Sequence, residues 1–379
     1  MRKSMLSFPA TCMALVISLT AGAQQKKDII FKGKADPKYN GEKMQLYNNK
    51  TGETDSAVIV NGGFELHASY TEPTRYMFAS NYEAKTKGGY APFGIVVEGP
   101  GTVRIDADIA SFSKSKVSNA PAHEAVQWYN QQTDLLDGKF EAALIKKYGK
   151  PDLFTNRAYD KEEWYKDVEH AYDSAGDAHS NQVMEVMVRK YPNSIGAAYL
   201  MSVRSGSLPL SLQEELYGLF KDRVKQSSYG KSTLELIEAR KYSAIGQTAY
   251  GFTMNNELGK AVEFASFRGK YVLIDFWASW CGPCVASFPK LKEVYEQYKN
   301  KGFEIVGVST DKSEAAWQTA VKKYLNPWPQ LHDTQNIAGK FFAVKMLPTT
   351  YLIHPDGKIV ARDVHAEELG AKLSELLKQ

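Results

Sequence analysis

One run constrains the fold more than any other: "YVLIDFWAS", Tyr271 to Ser279. It is almost continuously apolar, where a strand with one wet face would alternate. Such a strand must be covered on both faces, which is the setting of a parallel sheet with helices above and below it. "FEIVGVST" and "TTYLIHP" follow at intervals long enough for crossover helices. Pro355-Asp356-Gly357-Lys358 then turns the chain into "IVARDV", predicting that the last two strands form an antiparallel hairpin. A single carboxylate, Asp275, interrupts the apolar run. Burial should disfavour its ionised form and raise its pKa.

The run leads directly into "SWCGPCVASFP". The chain has three cysteines, Cys12, Cys281 and Cys284. Cys12 lies in "MRKSMLSFPATCMALVISLTAGA", which reads as a secretory leader cut after Ala23: a basic start, a short apolar stretch, then a small-x-small site. An uncleaved N-terminal anchor or a lipoprotein leader is the alternative. The apolar stretch is too short to span a bilayer comfortably. Removing residues 1–23 takes Cys12, Arg2 and Lys3 with it, so Cys281 and Cys284 remain and the formal charge falls from +4 to +2. That near-neutral balance argues against nucleic acid as a partner, which needs a concentrated basic surface.

Two cysteines so close together close almost no loop, so a purely structural disulfide would stabilise little. A structural zinc site wants four ligands, and neither a second pair nor a His-x3–5-His follows. A peroxidatic cysteine is a further alternative in folds of this order. A redox pair fits the local pattern well. Val285, Phe288, Leu291, Val294, Tyr295 and Tyr298 make one apolar stripe, predicting a helix that starts at the cysteines. Pro283 suits its first turn, where a missing N–H costs nothing. Cys281 then sits at the helix N-terminus, where exposed N–H groups and the helix dipole favour a thiolate. Cys284, one turn in, can attack a mixed disulfide formed at Cys281.

Upstream, residues 28–115 read as seven short strands, with Asn61-Gly62-Gly63 a strong turn, and suggest a small β-sandwich or barrel. Residues 116–240 carry helical periodicity without a fixed repeat. His170 and His179 there are read as solvated surface. The expected division is a leader over 1–23, a β domain over 24–115, a helical linker region over 116–240 and an α/β domain over 241–379.

"VLIDFWASWCGPC" resembles the thioredoxin signature. With "AIGQTAYGFTMNNELGKAVEFASFRGKYV" and the leader, residues from about 240 to the end resemble the envelope thioredoxin-like thiol–disulfide oxidoreductases, including those that serve cytochrome c maturation. "VNGGFEL" similarly resembles the β domain that often precedes such domains in Bacteroidetes-type envelope proteins. The resemblance implies a thioredoxin fold, with Cys281 attacking, Cys284 resolving and Asp275 assisting proton transfer. It implies that Pro348 of "KMLPTTYL" is a cis-proline and that Leu347 pairs its backbone with an incoming peptide. Trp280, Gly282 and Pro283 complete the implied substrate-binding surface, while Trp277 reads as core. Two departures stand out. Tyr250 occupies a position where that family usually has proline, and Ser287 one where some members have glutamate.

The expected architecture is therefore α/β, a thioredoxin fold preceded by a small all-β domain and a helical region. The expected function is a secreted oxidoreductase acting on protein thiols and disulfides in the periplasm or cell envelope. Its redox group is the cysteine pair itself, with no cofactor or metal. The Gly282-Pro283 dipeptide is that of thioredoxin, a reducing couple, and favours a reductase. A reductase in that compartment requires a membrane electron donor. A disulfide oxidase or isomerase remains the alternative chemistry, and an envelope scaffold with an auxiliary redox domain the alternative class.

Overall fold

The computed structural model describes residues 27–89, 92–204 and 206–378. The expected leader, with Cys12, lies outside the described residues.

The first part is built from β1 (Lys27–Lys34), β2 (Lys43–Tyr47), β3 (Thr54–Val58), β4 (Gly63–Tyr70), β5 (Thr74–Ser80), helix α1 (Asn81–Lys87), β6 (Phe93–Val97), β7 (Gly101–Asp106) and β8 (Lys116–Ser118). They form two four-stranded sheets, ordered β4-β1-β7-β8 and β3-β2-β5-β6. Alternate residues of each sheet meet in one core that includes Phe31, Leu66 and Ile105 from one and Leu46, Phe78 and Ile95 from the other. Asn61 and Gly62 take positive φ values of 51° and 71° and turn the chain at the Val60–Gly63 bridge. The turn does not make a hairpin, because β3 pairs with β2 and β4 with β1. Helix α1 was not separated from the strands by sequence. Its signal is a serine N-cap: the Glu83 N–H donates to Ser80 Oγ at 3.2 Å. The buried Glu83 carboxylate accepts from Lys87 Nζ and the Phe112 N–H.

The middle part is helical: α2 (Pro121–Tyr148), α3 (Glu163–Lys190), α4 (Ile195–Arg204), α5 (Leu210–Leu219), α6 (Asp222–Gln226) and α7 (Ser228–Tyr242). Tyr129 reaches Ser180, Asp137 meets His179 and Glu141 meets Tyr172, so α2 and α3 run antiparallel. His179 is therefore not the solvated surface residue expected. It is partly buried, with Nδ1 2.7 Å from Asp137 Oδ1, because the helix pairing folds it back onto α2. His170 is exposed. Helix α4 is nearly all buried, and α2 crosses it so closely at Gly196 that a Cβ there would lie 2.2 Å from the Ala122 carbonyl oxygen.

The last part comprises β9 (Thr253–Asn255), β10 (Ala261–Glu263), β11 (Tyr271–Trp277), α8 (Gly282–Tyr298), β12 (Phe303–Ser309), α9 (Glu314–Tyr324), β13 (Gln330–His332), α10 (Ile337–Phe342), β14 (Thr349–Ile353), β15 (Ile359–Arg362) and α11 (Ala366–Leu376). Its main sheet has the order β13-β12-β11-β14-β15. β11 is central, parallel to β12 and antiparallel to β14, and β14–β15 is the expected hairpin. Every residue of β11 is buried. Leu273 and Trp277 point into the core with α8 and α11, whereas Val272, Ile274 and Phe276 point into the core with α10. The period of two puts Asp275 on the α8 side. Helix α7 packs on α10 through Leu236, Ala239 and Ala343, joining the helical part to the sheet part. Among the described residues no helix is long and apolar enough to cross a membrane.

Candidate active site

The site grows out of the end of β11. The strand stops at Trp277, and the Cys281 N–H donates to the Ala278 carbonyl at 3.0 Å, turning the chain. Cys281 is then the N-cap of α8: its backbone is extended, and its Sγ accepts the Cys284 N–H at 3.2 Å. A sulfur in the cap position takes one of the helix's unpaired N–H groups, an interaction that is stronger for a thiolate. Pro283 stands in the first turn, as its missing N–H permits. The two sulfurs are bonded, with Cα atoms 5.3 Å apart. Exposure barely separates the two cysteines, because Cys281 is only 4 % exposed and Cys284 is also buried. What distinguishes them is position: one caps the helix and the other lies inside it.

Asp275 belongs to the same face. It is 2 % exposed, and its Oδ2 has no hydrogen-bond partner among the described residues. Burial alone pushes its pKa up to about 7. It can thus hold or release a proton near neutral pH in the cleft that Pro283 of α8 also lines.

The Leu347–Pro348 peptide bond is cis, and Pro348 leads straight into β14. Because Phe276 pairs with Thr349, Pro348 stands beside the end of β11 from which the cysteines issue. Leu347 is half-buried and makes no backbone–backbone hydrogen bond among the described residues. Trp280 is 72 % exposed next to Cys281, Gly282 and Pro283 are exposed, and Trp277 is core. Ser287 donates to the Cys284 carbonyl at 2.8 Å, so the position where some relatives of this kind carry glutamate closes a local helix bond. Tyr250 stacks on Phe341 at 3.5 Å between ring centroids.

Sequence reasoning missed one group. The buried Asp311 carboxylate accepts the Ser279 N–H and O–H at 2.8 and 2.7 Å and the Ser309 O–H at 2.8 Å. His332 Nε2 lies 2.7 Å from the Asp311 carbonyl, and Trp317 stacks on that imidazole. This network holds the turn two residues before Cys281. The available signal was the Ser309-Thr310-Asp311 run closing "GVSTD", a polar cluster where a buried strand ends.

A cleft of about 1100 Å³ opens beside the pair. Asp275, Pro283 and Pro348 line it on the sheet side, and residues at the end of α4 line it on the other.

Comparison with known proteins agrees with this geometry. Residues 245–362 match the AhpC/TSA family. The thiol-disulfide oxidoreductase ResA of Bacillus thuringiensis subsp. konkukian is 36% identical over 135 residues, covering 36% of this chain and 78% of that protein. The protein of the same name from Bacillus subtilis is 36% identical over 115 residues, covering 30% of this chain and 64% of its own. Among solved structures, a thiol-disulfide oxidoreductase from Bacteroides fragilis shows 40% identity, covering 34% of this chain and 99% of that one, with a TM-score of 0.33. With the Bacillus thuringiensis relative 36% identical and matched over 78% of its length, and with the cysteines here opening the first helix after a buried central strand, the chain belongs to the thioredoxin-like thiol–disulfide oxidoreductases.

Proposed function

We propose that the chain is an exported reductase that passes two electrons from Cys281 and Cys284 to disulfides of proteins in the periplasm or cell envelope. The observation that carries this is the placement of Cys281 as the cap of α8, on the same side of β11 as the buried Asp275, whose Oδ2 is unpartnered among the described residues. In the reduced enzyme the Cys281 thiolate attacks a substrate disulfide, and one substrate thiolate leaves as the mixed disulfide forms. Cys284 gives its proton to the Asp275 carboxylate. The Cys284 thiolate then attacks Cys281 Sγ, releasing the second substrate thiolate and leaving the Cys281–Cys284 disulfide. A membrane dithiol donor returns two electrons to the pair. Trp280, Gly282, Pro283, Leu347 and Pro348 form the surface over which the substrate chain lies, and the leader over residues 1–23 directs export.

Direction and attacking residue are tested together. Equilibration with a glutathione buffer should place the couple near the −270 mV or so of thioredoxin, against about −120 mV for strong periplasmic oxidants. Limiting iodoacetamide on the reduced protein should label Cys281 first. A potential near the oxidant value would make the enzyme an oxidase, and labelling mainly at Cys284 would reverse the two roles.

A further inference from the structure

The cleft beside the cysteines is walled by two different parts of the chain. On the sheet side are Pro283, which separates the cysteines, Met346 and Pro348. On the other side are Val203 and Arg204, at the end of α4, and Ser207, in the connection to α5. Two apolar side chains, Val203 at 57 % and Met346 at 80 % exposure, are left open to solvent there. This far wall is fixed. Helix α4 is packed into the helical core, and Arg240 of α7 donates from Nη1 to Gln213 and from Nη2 to the Leu208 carbonyl, tying α5 and the connection to it down onto α7. Helix α7 is in turn packed on α10, a few residues before the Pro348 turn. The helical part and the sheet part therefore hold the two sides of one cleft at a set separation.

We propose that the end of α4, with Val203 and Arg204, together with Ser207 forms the second wall of the substrate site, and that the occupant is an extended polypeptide segment carrying the target half-cystine. This rests on the reductase reading above, with the same electron balance and the same dithiol donor. Three observations specify the occupant. At about 1100 Å³ the cleft is at or beyond the upper limit for small-ligand pockets. Leu347, with no backbone–backbone partner among the described residues, offers main-chain groups that an extended chain can use. Val203 and Met346, both exposed and both lining this cleft, offer apolar surface that the side chains of an extended segment can cover. The helical part thus acts as a specificity element: it admits flexible segments and turns away compact folded ones.

The experiment uses the full-length chain with Val203→Trp, a substitution at an exposed position that narrows the gap. The readout is the ratio of kcat/KM for a disulfide-bearing unstructured peptide of about ten residues to that for hydroxyethyl disulfide, with dithiothreitol as donor. The ratio should fall about tenfold, since a pocket change of this size acts on the larger occupant. Leu135→Trp, at another exposed helical position, should leave the ratio at its wild-type value. An unchanged ratio in Val203→Trp, or an equal loss on both substrates, overturns the proposal. A wild-type protein inert toward both disulfides would instead overturn the reductase reading on which it rests.

Discussion

Asp275 is the residue on which physics and chemistry converge. A carboxylate in a fully buried strand with an unpartnered oxygen is costly in its charged form. Its raised pKa makes that cost depend on pH. Below about pH 4 the side chain is protonated in the folded and unfolded chains alike. Between about pH 4 and about pH 7 the unfolded chain releases its proton first, so stability falls as pH rises. Above about pH 7 both states are ionised and the dependence ends. The full span is worth roughly 4 kcal/mol. Asp275→Asn should remove this slope, so urea unfolding at pH 4, 5.5 and 8 should show the variant gaining on the wild type up to about pH 7. The same variant should form mixed disulfides at the normal rate and resolve them slowly above neutral pH in stopped-flow traces. A parallel pH profile for the two proteins would mean that the folded carboxyl titrates normally. Unaltered resolution would reduce Asp275 to a structural residue.

At the scale of elements, the start of α8 owes its geometry to neighbours outside the helix. The turn from β11 is held by Asp311, two residues beyond the end of the neighbouring strand β12. Asp311→Ala leaves the Ser279 N–H and the Ser309 hydroxyl without their acceptor, a loss of about 2–3 kcal/mol. If the network also positions Cys281, the alkylation rate of the reduced cysteine should change in native buffer, and Asp311→Asn should recover part of both effects by keeping one acceptor oxygen. Lower stability with an unaltered alkylation rate would mean that the network holds the fold and not the nucleophile. The cysteine pair was legible from sequence because strand, turn and helix signals are contiguous there. The Asp311 network was not, because its Ser279 donor and its acceptor are 32 residues apart and the pairing of β11 with β12 brings them together.

On the scale of the whole molecule, the sheet part carries its own cores. Both hydrophobic clusters that flank β11 are drawn from residues after Ser243, while the small Leu236–Ala239–Ala343 cluster and the Tyr242–Phe341 ring contact reach back into α7. A chain trimmed to residues 241–379 should therefore fold and reduce insulin with dithiothreitol. It should also lose the preference for extended segments over compact folded substrates, because α4 is gone. Circular dichroism and insulin turbidity check the first expectation. A trimmed chain that folds without reducing insulin would show that the first 240 residues supply a catalytic contribution.

The sequence by itself determined the elements whose signals are local. The apolar run of β11, the turn into α8, the capping position of Cys281 and the buried Asp275 all follow from neighbouring residues, and so do the two sheets' alternating strands upstream. Tertiary structure alone decided what depends on distant segments meeting. It sent β3 and β4 into different sheets despite the Asn61-Gly62 turn between them, and folded His179 onto Asp137. It also set the end of α4 across from Met346. Periodicity tells a segment which of its faces must be buried, but not which other segment will bury it. The second wall of the cleft is a product of that choice of partners.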